Sequence, residues 1–303
     1  MTVVSPVCVE TPAKINLYLG VGPRRADGYH ELATVFQALD LTDQLEAEPL
    51  ESGVQLKLRS GKGVPAGPSN LAVKAARLLK REYEVPQGVR LTLEKRIPVA
   101  GGMAGGSADA AAALVACNAL WGLGCTQAQL SQLAARLGSD VPFSLCGGTA
   151  LGAGRGELLT PVLSTGEFTW VVATSFTSLA TPDVYATFDK LRGTDFPEPS
   201  VPRALLSALR SGDQVAVGAH LHNDLQAAAV SMRPELDLLL EAGRDYGALG
   251  AMVSGSGPTC VFLASDHDHA MELSVGLSGT GLCKQARIAT GPVPGPRVTR
   301  TRT

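Results

Sequence analysis

Pro98-Val99-Ala100-Gly101-Gly102-Met103-Ala104-Gly105-Gly106-Ser107-Ala108-Asp109 is the stretch on which the reading of this chain turns. Ahead of it, Val89 to Lys95 alternates as a strand does and runs straight into a loop with almost no side chains. Behind it, Ser107 to Trp121 reads as a buried helix, because alanine is the best helix former and little polar surface interrupts it. Such a loop lets backbone N–H groups come close to phosphate oxygens. The helix N-terminus adds roughly half a positive charge. Ser107 offers a hydroxyl to a phosphate or to a bound Mg²⁺. Four glycines would be a costly way merely to turn the chain.

Two other phosphate loops are excluded by their own requirements. A P-loop ends in Gly-Lys-Ser/Thr, and Gly106-Ser107 carries no lysine between them. A dinucleotide fingerprint needs a first strand and an acidic residue about 20 positions on, and neither stands in the right place.

Outward from the loop, the texture is that of an α+β protein. Val7 to Glu10 and Ile15 to Val21 read as two strands, with Gly22 to Tyr29 as a loop. Residues 32–60 alternate at Val54, Leu56 and Leu58, which predicts further antiparallel strands. Asn70 to Tyr83 has amphipathic helical spacing, and Thr126 caps a helix running to Leu137. Beyond Pro161 the pattern changes to a strand at Thr169–Ser175, helices at Pro182–Leu191 and Pro234–Gly243, and a strand-turn-strand at Ala251–Ala264. We place a first domain over residues 1–160, a second over 161–290, and a disordered tail over 291–303; a nucleotide-binding cleft between the two domains is what the family resemblance given below implies.

The composition fits this division. The chain has 303 residues, 45% hydrophobic and 18% charged, enough apolar material for two real cores. Its net charge of −2 lacks the basic surplus of a nucleic-acid binder. No stretch reaches the apolar length of a membrane span, and the first residues do not read as a signal peptide. The six cysteines never fall as Cys-x-x-Cys, so they are expected to be buried thiols of a cytoplasmic protein. Oligomeric state and metal ligands are not legible.

Pro12-Ala13-Lys14-Ile15-Asn16-Leu17, the glycine loop, and Val253-Ser254-Gly255-Ser256-Gly257-Pro258-Thr259 stand in the order and approximate spacing of the three motifs of the GHMP kinase superfamily. The chain resembles that superfamily, which includes galactokinase, homoserine kinase and mevalonate kinase. The stretch PAKINLYLGVGPRRADGYHEL, with Gly138-Ser139-Asp140-Val141-Pro142 and Thr181-Pro182, resembles the branch acting on a diphosphocytidyl-linked methylerythritol of the non-mevalonate isoprenoid route. The resemblance implies a small-molecule kinase that moves the terminal phosphoryl group of ATP to the 2-hydroxyl of that substrate, assisted by Mg²⁺. A kinase for homoserine, mevalonate or a sugar, or a non-catalytic nucleotide-binding regulator, stays open as an alternative.

The same resemblance assigns roles. Residues 98–108 would hold ATP, with Lys95 and Asn70 bordering adenine and ribose, though both are also ordinary surface types. Asp140 would take the hydroxyl proton or only orient the hydroxyl, and its plain alternative is a turn aspartate. Lys14 is a charge on an apolar strand and wants an anionic partner. Asn16, two residues on, shares its strand face and would orient substrate oxygens. Tyr29, His30 and Tyr185 would hold cytosine and Thr181 would also touch the substrate, against the alternative that an aromatic at helical spacing is core. The superfamily's loop commonly has Gly-Leu-Gly-Gly-Gly, and here Met103-Ala104 replace the Leu-Gly. If that position needs φ > 0, Ala104 carries a cost.

Overall fold

A computed structural model describes residues 5–61, 63–99, 101–193 and 198–299. In the first half of the chain come β1 (Val7–Arg24), β2 (His30–Leu50), β3 (Val54–Leu58), α1 (Leu71–Glu82), β4 (Gly88–Glu94), α2 (Gly105–Leu120), α3 (Gln127–Ala135), α4 (Val141–Cys146), β5 (Thr149–Ala153) and β6 (Leu158–Pro161). The second half holds β7 (Phe168–Thr174), α5 (Thr181–Arg192), α6 (Arg203–Ser211), α7 (Gln214–Ala219), β8 (His222–Asn223), α8 (Gln226–Met232), α9 (Glu235–Asp245), β9 (Gly250–Val253), β10 (Cys260–Ala264), α10 (His267–Gly279), β11 (Gln285–Gly291) and β12 (Arg297–Thr299).

Where the sequence predicts two strands before residue 22, one long β1 runs through Pro12. The register against β2 shifts between Pro12 and Ala13. Proline has no N–H to give the ladder, and a bulge absorbs the missing bond without ending the strand. The main sheet runs in the order β12-β1-β2-β4-β3, with β5 paired to β2, β6 to β5 and β8 to β1. β3 joins β4 in parallel rather than antiparallel. The intervening α1 is the crossover that a parallel pair needs.

A second, four-stranded sheet has the order β11-β7-β10-β9 and is antiparallel throughout. The change of sheet falls at residues 162–167. α1 and α2 bury their alanine and leucine faces against β2 and β4 in one core, and α8, α9 and α10 cover the second sheet in another. Trp170 is fully buried in a further cluster shared with β1 and β2, and its Nε1 donates to the buried Gln37 at 3.0 Å.

The tail expected to be disordered from residue 291 is ordered as far as Thr299. Its β12 pairs antiparallel with Cys8, Val9 and Glu10, the start of β1. Val293 donates to Ala38 and accepts from Gly148. The outer edge of β1 carries free ladder groups, and closing an edge with the chain's own end is a common solution. Residues 300–303 of that expectation lie outside the described residues. Among the described residues no helix is long and apolar enough to cross a membrane.

Candidate active site

α2 begins without a side-chain cap. Its N-cap is Ala104, at φ 53° and ψ 30°, and no side chain accepts from the first-turn N–H groups. The first N–H to bond within the helix is that of Ala108, to the Ala104 carbonyl at 2.9 Å. The preceding amides of Gly105, Gly106 and Ser107 therefore stand without helical partners. The positive φ anticipated for Ala104 is present.

The loop ahead of α2 is clasped from the second sheet. Ser254 Oγ donates to the Gly102 carbonyl at 3.3 Å. Gly102 has φ +74°, and a β-carbon there would lie 2.2 Å from the Ser254 carbonyl oxygen. Only glycine allows this approach. The turn is itself held open by Asn223, whose Nδ2 donates to the Val253 and Gly255 carbonyls at 2.7 and 2.8 Å.

Facing this N-terminus, Lys14 Nζ lies 3.8 Å from Asp140 Oδ2. Lys14 is nearly buried, because β1 carries it inward beneath the loop, and its own N–H donates to the Met103 carbonyl at 3.3 Å. Its ammonium donates to Asn16 Oδ1 at 2.7 Å, and Asn16 Nδ2 donates to Thr34 Oγ1 at 2.8 Å. Thr34 passes the chain on to the Tyr18 carbonyl. Asp140 caps α4 in position only, with no side-chain hydrogen bond to it. Its carboxylate is thus left for the cleft.

At the far end, His30 is buried, and its Nε2 sits 2.8 Å from Asp189 Oδ1 on α5. Tyr185 stacks on His30 at 5.1 Å between ring centroids. Burial pushes the Tyr185 phenol well above its ordinary range, and the Asp140 charge adds to that. Tyr29 is half exposed, with the Arg155 guanidinium 5.0 Å from its ring centroid. Thr181 Oγ1 and Ser256 Oγ share a hydrogen bond of 2.9 Å.

The glycine loop, the Lys14–Asp140 pair and the His30 end open on one cleft of about 810 Å³. The structure brings Lys14, Asn16, Tyr29, His30, Asp140, Thr181 and Tyr185 to it, together with Pro98, Val99 and the run Gly101 to Ser107. Ala100 lies outside the described residues. Ala108 does not line the cleft, because it is one turn into α2 and its methyl group packs in the core.

Lys95 and Asn70 touch the cleft, but their polar atoms are occupied. Asn70 caps α1, accepting from the Ala72 N–H at 2.8 Å and donating to the Pro65 carbonyl at 2.8 Å. Lys95, which the resemblance puts beside adenine, has an almost fully buried side chain. It pairs with Asp43 and, at 2.7 Å, with Asp109, and donates to the Gly105 carbonyl at 3.1 Å. A buried ammonium needs such partners. One ammonium cannot balance two buried carboxylates, so burial, with Asp43 adding, pushes Asp109 up to about 7 against the pull of Lys95.

Asp43 also accepts from the Arg96 and Ile97 N–H groups at 2.5 and 2.8 Å, which anchors the entry to the glycine loop. Sequence reasoning passed over Asp43, Asp189 and Asn223. Their only signal is a partner far along the chain.

Two family descriptions match: GHMP kinases N terminal domain over residues 70–148, and GHMP kinases C terminal over residues 205–281. A protein of Thermobifida fusca named 4-diphosphocytidyl-2-C-methyl-D-erythritol kinase is 52% identical over 307 residues, covering 98% of this chain and 100% of its own length. Its namesake in Nocardia farcinica is 53% identical over 298 residues, 97% of this chain and 96% of that one. A crystal structure of 4-(cytidine 5'-diphospho)-2C-methyl-D-erythritol kinase superposes with a TM-score of 0.78 at 38% identity, over 93% of this chain and 97% of that one. Homoserine kinase from Cytophaga hutchinsonii, at 18% identity and a TM-score of 0.77 over 99% of both chains, shares the fold alone.

Proposed function

The chain belongs to the GHMP kinases, and from that premise we propose that it phosphorylates the 2-hydroxyl of 4-diphosphocytidyl-2-C-methyl-D-erythritol with ATP, a step of non-mevalonate isoprenoid precursor synthesis. The observation that carries this reading is the Lys14–Asp140 pair, 3.8 Å apart in the same cleft as the uncapped N-terminus of α2.

The loop from Pro98 to Ser107 would hold the ATP phosphates on its free amides, with the helix dipole favouring their charge. The acceptor hydroxyl would enter between Lys14 and Asp140. Its proton passes to the Asp140 carboxylate as its oxygen bonds to the terminal phosphorus. The bond from that phosphorus to the bridging oxygen breaks, and ADP leaves with the electron pair. Lys14 neutralises charge gathering on the transferring group, and Asn16, held by Lys14 and Thr34, orients the substrate's oxygens. Tyr29 and Tyr185 would flank cytosine, with His30 at its polar edge and Thr181 near the chain that joins base to alcohol.

Mg²⁺ fits this donor set. The Ser107 hydroxyl lines the cleft at the first turn of α2, and a hard cation takes such oxygens together with nucleotide phosphates and waters. When bound, it would neutralise charge on the phosphates. The six cysteines are unpaired, which suits a reducing, cytoplasmic setting.

ADP release tests the reading. With ATP and Mg²⁺, the diphosphocytidyl substrate should be turned over with a kcat/KM at least about 100-fold above that for mevalonate or homoserine. Preference for either of those two would overturn the substrate assignment, and no ADP release with any of the three would make the chain a nucleotide-binding regulator.

A further inference from the structure

His30 has two ring nitrogens and the fold occupies one. Nε2 faces Asp189 Oδ1 at 2.8 Å, and no described residue bonds Nδ1. Tyr185 stacks on the ring at 5.1 Å, and Phe188 meets it in an edge arrangement at 6.2 Å. Turning the ring over would put a carbon in the place of Nε2 and break its bond to Asp189. His30, Tyr185 and Asp189 all line the cleft, so Nδ1 is the polar ring atom left for a ligand.

An ionised carboxylate only accepts hydrogen bonds. Opposite Asp189, Nε2 must carry a proton, and whenever the ring holds only that one, Nδ1 shows a lone pair. We propose that Asp189 is a specificity-determining positioning residue: by fixing the His30 tautomer it makes Nδ1 an acceptor, which selects a base with an exocyclic amino group over one with a carbonyl there. This rests on the reading of His30 as the residue at the polar edge of the pyrimidine. Cytosine offers an amino donor at its 4-position, where uracil offers only an acceptor oxygen. Two lone pairs facing each other in a water-poor slot leave both groups unpaired, which is how a polar site rejects a near-isostere.

The test compares the diphosphocytidyl substrate with its diphosphouridyl counterpart, as kcat/KM at pH 8 with saturating ATP. The parent enzyme should prefer the cytidine form by about 10- to 100-fold. Asparagine can donate as well as accept, so Asp189→Asn frees either tautomer, and the preference should fall about tenfold or more. Asp189→Glu restores an acceptor-only partner and should recover most of it. A merely structural Asp189 would weaken both substrates alike, so an unchanged ratio in Asp189→Asn overturns the proposal.

Nitrogen-15 shifts of the His30 ring give a readout apart from turnover. The parent should carry its proton on Nε2, and a proton found on Nδ1 alone would equally overturn it. A parent enzyme inactive on both nucleotide substrates would instead remove the underlying substrate reading, a result distinct from activity without base preference.

Discussion

The ammonium of Lys14 stands 3.8 Å from the carboxylate of Asp140, although 126 positions separate them in the chain. β1 delivers one and the start of α4 the other, and both line the cleft. Asp140→Asn keeps the shape and removes the proposed base. Turnover should fall about 10²–10⁴-fold with the KM for ATP nearly kept. Steady-state ADP release measures both, and near-parent turnover would take Asp140 out of the mechanism.

Lys14→Met fills a similar volume without charge. Asn16 Oδ1 then loses its donor, and the acceptor hydroxyl loses the cation beside it. We expect kcat to drop about 10²–10³-fold, in the range of losing one charge-stabilising donor. Folding stability should fall by about 1–3 kcal/mol from the unpaired buried amide. Denaturant midpoints and initial rates on the same preparation separate the two effects.

Ala104 pays for its left-handed backbone at φ 53°. Replacing it with glycine relieves that strain, and glycine's greater freedom in the unfolded chain offsets part of the gain. Ala104→Gly should stabilise by about 0.5–1 kcal/mol. Ala104→Val, branched at the β-carbon, should destabilise by more than about 1 kcal/mol. Thermal melts of the three proteins check the order, and a melt of the glycine variant below the parent would contradict it.

These features differ in how far they could be read without coordinates. Lys14 and the glycine loop announce themselves locally, as a charge in an apolar strand and as a run without side chains. Lys95 looked equally available, because its partner Asp43 lies 52 positions away in an ordinary alternating strand. Asp189 meets His30 across 159 positions, and a helix-borne aspartate carries no local sign of that meeting. The continuity of β1 through Pro12 and the pairing of β12 with Cys8 to Glu10 escaped for a related reason. A bulge and an edge closure are settled by what lies beside a strand, and local propensity does not register it.

Asp109 predicts a pH dependence of stability. Its folded-state value near 7 stands above the roughly 3.9 of an unfolded aspartate, so the folded protein holds the extra proton between those values. The contribution is fully present below about pH 4 and is lost as pH rises towards 7, with a slope of up to about 1.4 kcal/mol per pH unit. Asp109→Asn should flatten that part of the profile. Denaturant melts from pH 4 to pH 8 read it, and parallel profiles for parent and variant would contradict the assignment.

The most direct test of the whole account is a crystal structure with a non-hydrolysable ATP analogue and the diphosphocytidyl substrate bound together. The account predicts phosphate oxygens on the amides of Gly105 to Ser107, and the 2-hydroxyl within hydrogen-bond reach of both Asp140 and Lys14. Phosphates seated away from the start of α2, or a hydroxyl that meets neither side chain, would contradict it.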